Sequence, residues 1–174
     1  MLEKLVSAIL YILPAYVANG SPVVVVRLIG KATPMDLGAK AWDGRRILGD
    51  GKTFEGFFSG IALGSVVGLI LIALGNPASY RSVLEPLILS LGAMLGDILG
   101  SFIKRRLGLK RGQPAPGMDQ LGFVVCALII SFAIYGLPDW FDSLTVIILL
   151  LVTACLHLGT NYLAYLLRLK SEPY

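Results

Sequence analysis

The apolar residues of this chain gather into long runs with almost no charge inside them. A helix crossing the hydrocarbon layer needs about 20 mainly apolar residues, and five stretches meet or approach that length: residues 2–18, 57–74, 84–103, 121–137 and 144–167. The pattern predicts an all-α, polytopic integral membrane protein: one transmembrane domain over residues 1–174, with five transmembrane helices and two basic cytoplasmic loops, at about 30–55 and 104–119. Between the first two runs, Val23 to Val26 is a β-branched stretch stopped by Arg27 and too short to span alone. It extends the first helix past Asn19-Gly20-Ser21-Pro22 or re-enters the membrane edge. Gly56, Gly60, Gly64 and Gly68 form one ladder, and Gly92, Gly96 and Gly100 another. Residues four apart share a helix face, and a face without side chains lets membrane helices approach closely.

Composition agrees with the runs. Of 174 residues, 56% are hydrophobic and 15% charged, against roughly 45–50% and about 25% in soluble domains, which excludes a soluble domain. The net charge of +4 is unevenly spread. The first connection holds Arg27, Lys31, Lys40, Arg45, Arg46 and Lys52, the third holds Lys104, Arg105, Arg106, Lys110 and Arg111, and the tail holds Arg168 and Lys170. The opposite side has Lys4 and Arg81, with Asp139 and Asp142 in its other connection. Short loops rich in Lys and Arg stay in the cytoplasm, so the expected location is the cell membrane, N-terminus outside, C-terminus and both basic loops cytoplasmic. Trp42 and Trp140 fit interfacial anchors. The N-terminal run lacks a convincing small-residue cleavage site and reads as a retained span. Cys126 and Cys155 lie in apolar runs without the spacing of a disulfide framework or metal site.

Asp97 is the acidic residue deepest in a predicted span, and an ionisable group there is a functional candidate by default. Ser101, Lys104 and Arg105 follow at i+4, i+7 and i+8, stacking a carboxylate, a hydroxyl and two cations along one face. Lys110, Arg111 and a Pro/Gly loop then lead to Asp119. Two carboxylates among cations suit Mg²⁺ held by carboxylates and substrate phosphates. In the first loop, Asp50-Gly51-Lys52-Thr53 invites a P-loop reading, but Arg46 stands where that motif needs glycine. What survives is glycine-freed amides, a lysine and a hydroxyl able to hold phosphate oxygens; a turn capped by Asp50 or Thr53 is the structural alternative. His157 and Asn161, four apart in the last span, read as hydrogen-bonding between helices or as neighbours of a substrate.

Ser101-x-x-Lys104-Arg105-x4-Lys110, followed by a Pro/Gly stretch and Asp119, resembles the signature of the phosphatidate cytidylyltransferase superfamily. Small size, five spans, and Asp50-Gly51-Lys52-Thr53-x-x-Gly56 with Gly96-Asp97-x-x-Gly100-Ser101 look like its archaeal branch, the CDP-archaeol synthases. Two positions depart from the bacterial and eukaryotic pattern: Arg111 replaces an acidic residue, and Gly122 replaces the second of two carboxylates, leaving Asp97 and Asp119 as the matched pair. The resemblance implies transfer of the cytidylyl group of CTP to an isoprenoid diether glycerol phosphate, with Mg²⁺ as cofactor, membrane lipids as surroundings and no nucleic acid partner. The expected catalytic residues are Asp97, Lys104, Arg105, Lys110 and Asp119, the metal ligands Asp97 and Asp119, and the phosphate-binding residues Asp50, Lys52, Thr53, Ser101 and Arg111. The alternative is a small transporter or channel with a polar path of Asp97, His157 and Asn161; a non-catalytic anionic-lipid scaffold would leave the carboxylates without a purpose.

Overall fold

The computed structural model describes residues 1–169; Lys170, counted above among the tail cations, lies outside the described residues. The chain forms α1 (Leu2–Ile29), α2 (Phe54–Ala73), α3 (Glu85–Arg106), α4 (Met118–Tyr135) and α5 (Ser143–Leu166), with no strand among the described residues. All five are long and apolar enough to cross a membrane. Successive helices alternate in direction, which puts the two basic loops at one end of the bundle and residues 74–84 and 136–142 at the other. Arg106 at the end of α3 donates to Asp43 in the first loop, while Lys4 pairs with Asp142 at the opposite end.

Of the two readings of Val23–Val26, the structure takes the extension: the first helix runs past Ala18 and Pro22 to Ile29, where Gly30 closes it in the left-handed conformation (φ 68°) and its N–H bonds the Val26 carbonyl. Pro14 and Pro22 lie inside it. Each proline removes the donor for the carbonyl four residues earlier, and in a bundle neighbouring elements resolve the deficit. The Tyr80 hydroxyl donates to the Leu10 carbonyl at 3.0 Å, the group Pro14 leaves open. Pro22 likewise frees the Ala18 carbonyl, which lies against Gly60.

The expected ladder on α2 is the seam of the bundle. Gly56, Gly60, Gly64 and Gly68 are all buried, and a Cβ at Gly60 would come within 2.6 Å of the Ala18 carbonyl and 2.8 Å of Met94 Sδ. Gly92 and Gly96 do the same between α3 and α4, where a Cβ at Gly96 would lie 2.7 Å from the Gly122 carbonyl. Gly100 differs: its nearest neighbour would be Met118 at 3.9 Å, and it borders a cavity. α5 packs more loosely; the Tyr16 hydroxyl of α1 donates to that of Thr153 at 2.6 Å, while Thr153 donates to the Leu149 carbonyl.

The end away from the basic loops is closed by a network around the fully buried Glu85, Tyr11 and Ser131. Glu85 accepts from Tyr11 at 2.5 Å and Ser131 at 3.1 Å and pairs with Arg81, whose guanidinium also reaches the Tyr135 carbonyl at 3.0 Å. Trp140 stacks edge-on to Tyr11 at 5.2 Å. Ile12, Leu89, Val124 and Leu149, all without exposure, belong to the core that continues from this network.

Candidate active site

The first loop folds back on itself before it reaches α2. Met35 donates to the Lys52 carbonyl, Ile47 to Ala39 and Ala41 to Arg45. At its centre the Asp36 carboxylate, without solvent exposure, accepts from Arg46 at 2.5 and 3.1 Å and from the amides of Leu48 (2.9 Å), Gly49 (2.8 Å) and Gly38 (3.2 Å). The Arg46 guanidinium and these amides hold its carboxyl well below the usual carboxylate range. Arg46 continues to Asp50 at 2.8 Å. Thr53 then caps α2, its hydroxyl accepting from the Gly56 amide at 3.1 Å, while Glu55 accepts from Thr33 at 2.6 and 2.9 Å. The loop is thus a braced arch that delivers residues 49–53 to the end of the bundle.

The arch is pinned to α3 by Arg106. Its guanidinium lies 5.4 Å over Trp42 and 5.3 Å over Phe102, and reaches Asp43 and the Arg46 carbonyl, each at 2.5 Å. Arg45 returns the contact, donating to the Arg106 carbonyl at 2.8 Å. None of Asp36, Asp43 and Arg106 stood out in the sequence as a site residue.

A cavity of about 810 Å³ lies beneath the arch, within the range of small-molecule sites. Of the expected residues, Asp50, Lys52, Thr53, Asp97, Ser101, Lys104, Arg105, Arg111 and Asp119 all line it. Lys110 does not: it is exposed beyond the rim. His157 and Asn161 border the cavity from α5, with the amide 3.0 Å from the imidazole; the α5 hydroxyl that bonds another helix is that of Thr153.

Two ion pairs dominate the cavity. Lys52 lies 2.7 Å from Asp97, joining the arch to α3. Lys104 straddles Asp119 at 2.8 and 3.0 Å, joining α3 to α4, and the Ala115 amide also donates to Asp119 at 2.8 Å. No group of three or more acidic, histidine or cysteine side chains suited to a metal occurs among the described residues. The donor set nevertheless fits Mg²⁺, which takes hard oxygens and commonly uses one or two carboxylates completed by phosphate and water. Each carboxylate already faces a cation, a lysine ammonium able to move to a phosphate.

A family model described as CarS-like, CDP-archaeol synthase, matches residues 1–174. The CDP-archaeol synthase of Pyrococcus horikoshii is 45% identical over 177 residues, covering 99% of either chain. That of Methanopyrus kandleri is 46% identical over 167 residues, covering 94% of this chain and 90% of its own. A solved structure described as an intramembrane enzyme for archaeal membrane lipids biosynthesis superposes with a TM-score of 0.76 at 42% identity, over 88% of this chain and 92% of that one.

Proposed function

This chain belongs to the CDP-archaeol synthase family, and from that premise we propose that it transfers the cytidylyl group of CTP to the phosphate of an isoprenoid diether glycerol phosphate, releasing pyrophosphate. As a multi-pass membrane enzyme, it must bring a water-soluble nucleotide to a phosphate anchored in lipid. The observation that carries the reading is that Lys52–Asp97 and Lys104–Asp119 line one cavity, together with Arg105 and Arg111.

In the transfer, an oxygen of the lipid phosphate attacks the α-phosphorus of CTP while the bond to the β-phosphate oxygen breaks. Such a step needs little covalent help from protein and depends on positioning and charge. Lys52 and Lys104 give up their carboxylates to bind phosphate oxygens, Arg105 and Arg111 oppose the charge that collects on the leaving pyrophosphate, and the Thr53 and Ser101 hydroxyls lie beside them. Asp97 and Asp119, released from their lysines, would hold Mg²⁺, which supplies further neutralisation of the phosphoryl oxygens. Lys110, outside the cavity, serves at most the approach of the anionic nucleotide.

A transporter reading needs a polar route through the whole bundle. Asp97, His157 and Asn161 do border the same space, but the Tyr11–Glu85–Arg81 network and the solvent-free core that continues from it close the other end.

The test is incubation of the purified protein with radiolabelled CTP, Mg²⁺ and an unsaturated diether glycerol phosphate, following lipid-extractable label and pyrophosphate. Wild type should transfer label, and Asp97→Asn should cut turnover by about a hundredfold or more, the scale of losing an electrostatic group at a reacting phosphate. Absence of label from folded wild-type protein with any lipid phosphate sinks the reading; turnover near wild type in Asp97→Asn removes Asp97 from the metal site.

A further inference from the structure

Two charged molecules must share this cavity, and its cations divide into two kinds. Lys52 and Lys104 have carboxylate partners. Arg27, Arg105 and Arg111 also line the cavity, yet none makes an ion pair among the described residues. Arg105 and Arg111 come from the end of α3 and the loop after it, and their side chains lie 3.9 Å from where Cβ atoms at Gly49 and Gly51 would stand. They therefore crown the phosphate-type loop of the arch.

Arg27 arrives from elsewhere, the part of α1 that extends beyond Ala18. Asn19, Pro22, Val23, Val26 and Arg27 all border the cavity, and their spacing of i, i+3, i+4, i+7 and i+8 puts them on one helix face. The same face abuts the start of α2, where a Cβ at Gly56 would meet Pro22 at 3.2 Å and Val26 at 3.5 Å. So α1 offers the cavity an apolar strip that ends in an exposed guanidinium without a carboxylate partner. That order of surfaces matches an amphiphile, with hydrocarbon along the strip and an anion at its end. CTP carries no hydrocarbon chain to lie along the strip.

We infer that Arg27 is the anchor for the phosphate of the diether lipid, with Pro22, Val23 and Val26 against the first isoprenoid units, and that Arg105 and Arg111 are left to the triphosphate. The inference rests on the cytidylyltransferase reading for the identity of the two ligands, but it concerns binding and is testable without turnover. A guanidinium bonds a phosphate monoester through two parallel N–H groups, so its loss should be felt by the phosphate and not by the hydrocarbon.

The experiment measures equilibrium binding to the full-length protein in detergent, without metal, of three radiolabelled probes: the unsaturated diether glycerol phosphate, the same diether glycerol lacking phosphate, and CTP. Arg27→Gln should weaken the lipid phosphate by about tenfold or more and leave the diether alcohol and CTP unchanged, the latter also showing that the variant is folded. Arg27→Lys should recover part of the loss, and Arg105→Gln should weaken CTP instead. In turnover, Arg27→Gln should raise KM for the lipid with KM for CTP flat. Wild-type affinity of Arg27→Gln for the lipid phosphate, or a loss that falls on CTP, overturns the inference. Failure of wild type to transfer label overturns the reading of the previous subsection, while the binding comparison still decides the role of Arg27.

Discussion

At the residue scale, the side chain with most control over the site does not touch the cavity. Asp36 gathers Arg46 and three amides, and through Arg46 it fixes Asp50 and the turn that carries Lys52. Removing one partner of a buried charge cluster costs about 3–5 kcal/mol. The Leu48 and Gly49 amides should therefore lose about two to four orders of magnitude of hydrogen-exchange protection in Asp36→Asn. The folded carboxyl titrates below its unfolded value of about 3.9, so its contribution is complete above that value and is lost as pH falls through the lower folded one. The difference in protection between wild type and variant should thus be full at neutral pH and shrink below about pH 4. A difference independent of pH would mean that the Asp36 charge is not what braces the arch. Asp97 and Lys104 were legible as neighbours in the cavity because a carboxylate within an apolar run, with a hydroxyl one turn and cations two turns later, is costly to keep, and Asp119 because it ends the basic Pro/Gly loop that follows them. Asp36 was not, because an aspartate among loop glycines looks like any turn until the loop closes and Arg46, ten residues on, folds over it. Arg27 was counted only as a topological charge, since its place at the cavity depends on α1 continuing through Pro22.

At the scale of elements, the five helices were visible as apolar runs, and the observed ends lie within a few residues of the expected ones for α2 to α5. At α1 the sequence left two readings open, extension or re-entry, and the choice between them has a definite cause. Asn19-Gly20-Ser21-Pro22 reads locally as a stop, but a proline inside a membrane helix costs little where a neighbour covers the freed carbonyl, and Gly60 of α2 lies against that of Ala18. The glycine ladders were read correctly as faces, though only coordinates separate Gly60, which packs, from Gly100, which borders the cavity. The difference between a glycine at a close helix contact and one in open space predicts opposite mutational outcomes. Gly60→Val should lower the Tm of the detergent-solubilised protein by several degrees or prevent its recovery, because a Cβ there meets the Ala18 backbone at 2.6 Å. Gly159→Ala in α5, with nothing within 4 Å of the new methyl, should leave Tm unchanged or raise it, since alanine favours a helix over glycine by about 1 kcal/mol. Equal loss in both variants would mean that glycine is needed for something other than close approach.

For the whole molecule, the decisive property is the difference between its two ends. One end carries the arch, the cavity and the dense cations; the other is sealed by a buried carboxylate with its arginine and aromatic partners. An enzyme that draws a nucleotide from the cytoplasm must present the first end there, which is also the end that the Lys and Arg distribution assigns to that side. The cations on which the expected orientation rests also build the cavity end: Arg45, Arg46 and Arg106 brace the arch, and Lys52 and Lys104 hold the carboxylates. Reversing the topology would therefore disconnect the enzyme from its nucleotide. In a background with Cys126 and Cys155 replaced by serine, Lys40→Cys in the exposed arch should react with a membrane-impermeant maleimide only after cells are opened. Asp139→Cys, in the connection before α5, should react in intact cells. The opposite labelling would place the cavity outside, and no route from cytoplasmic CTP to Lys52 and Lys104 would then exist.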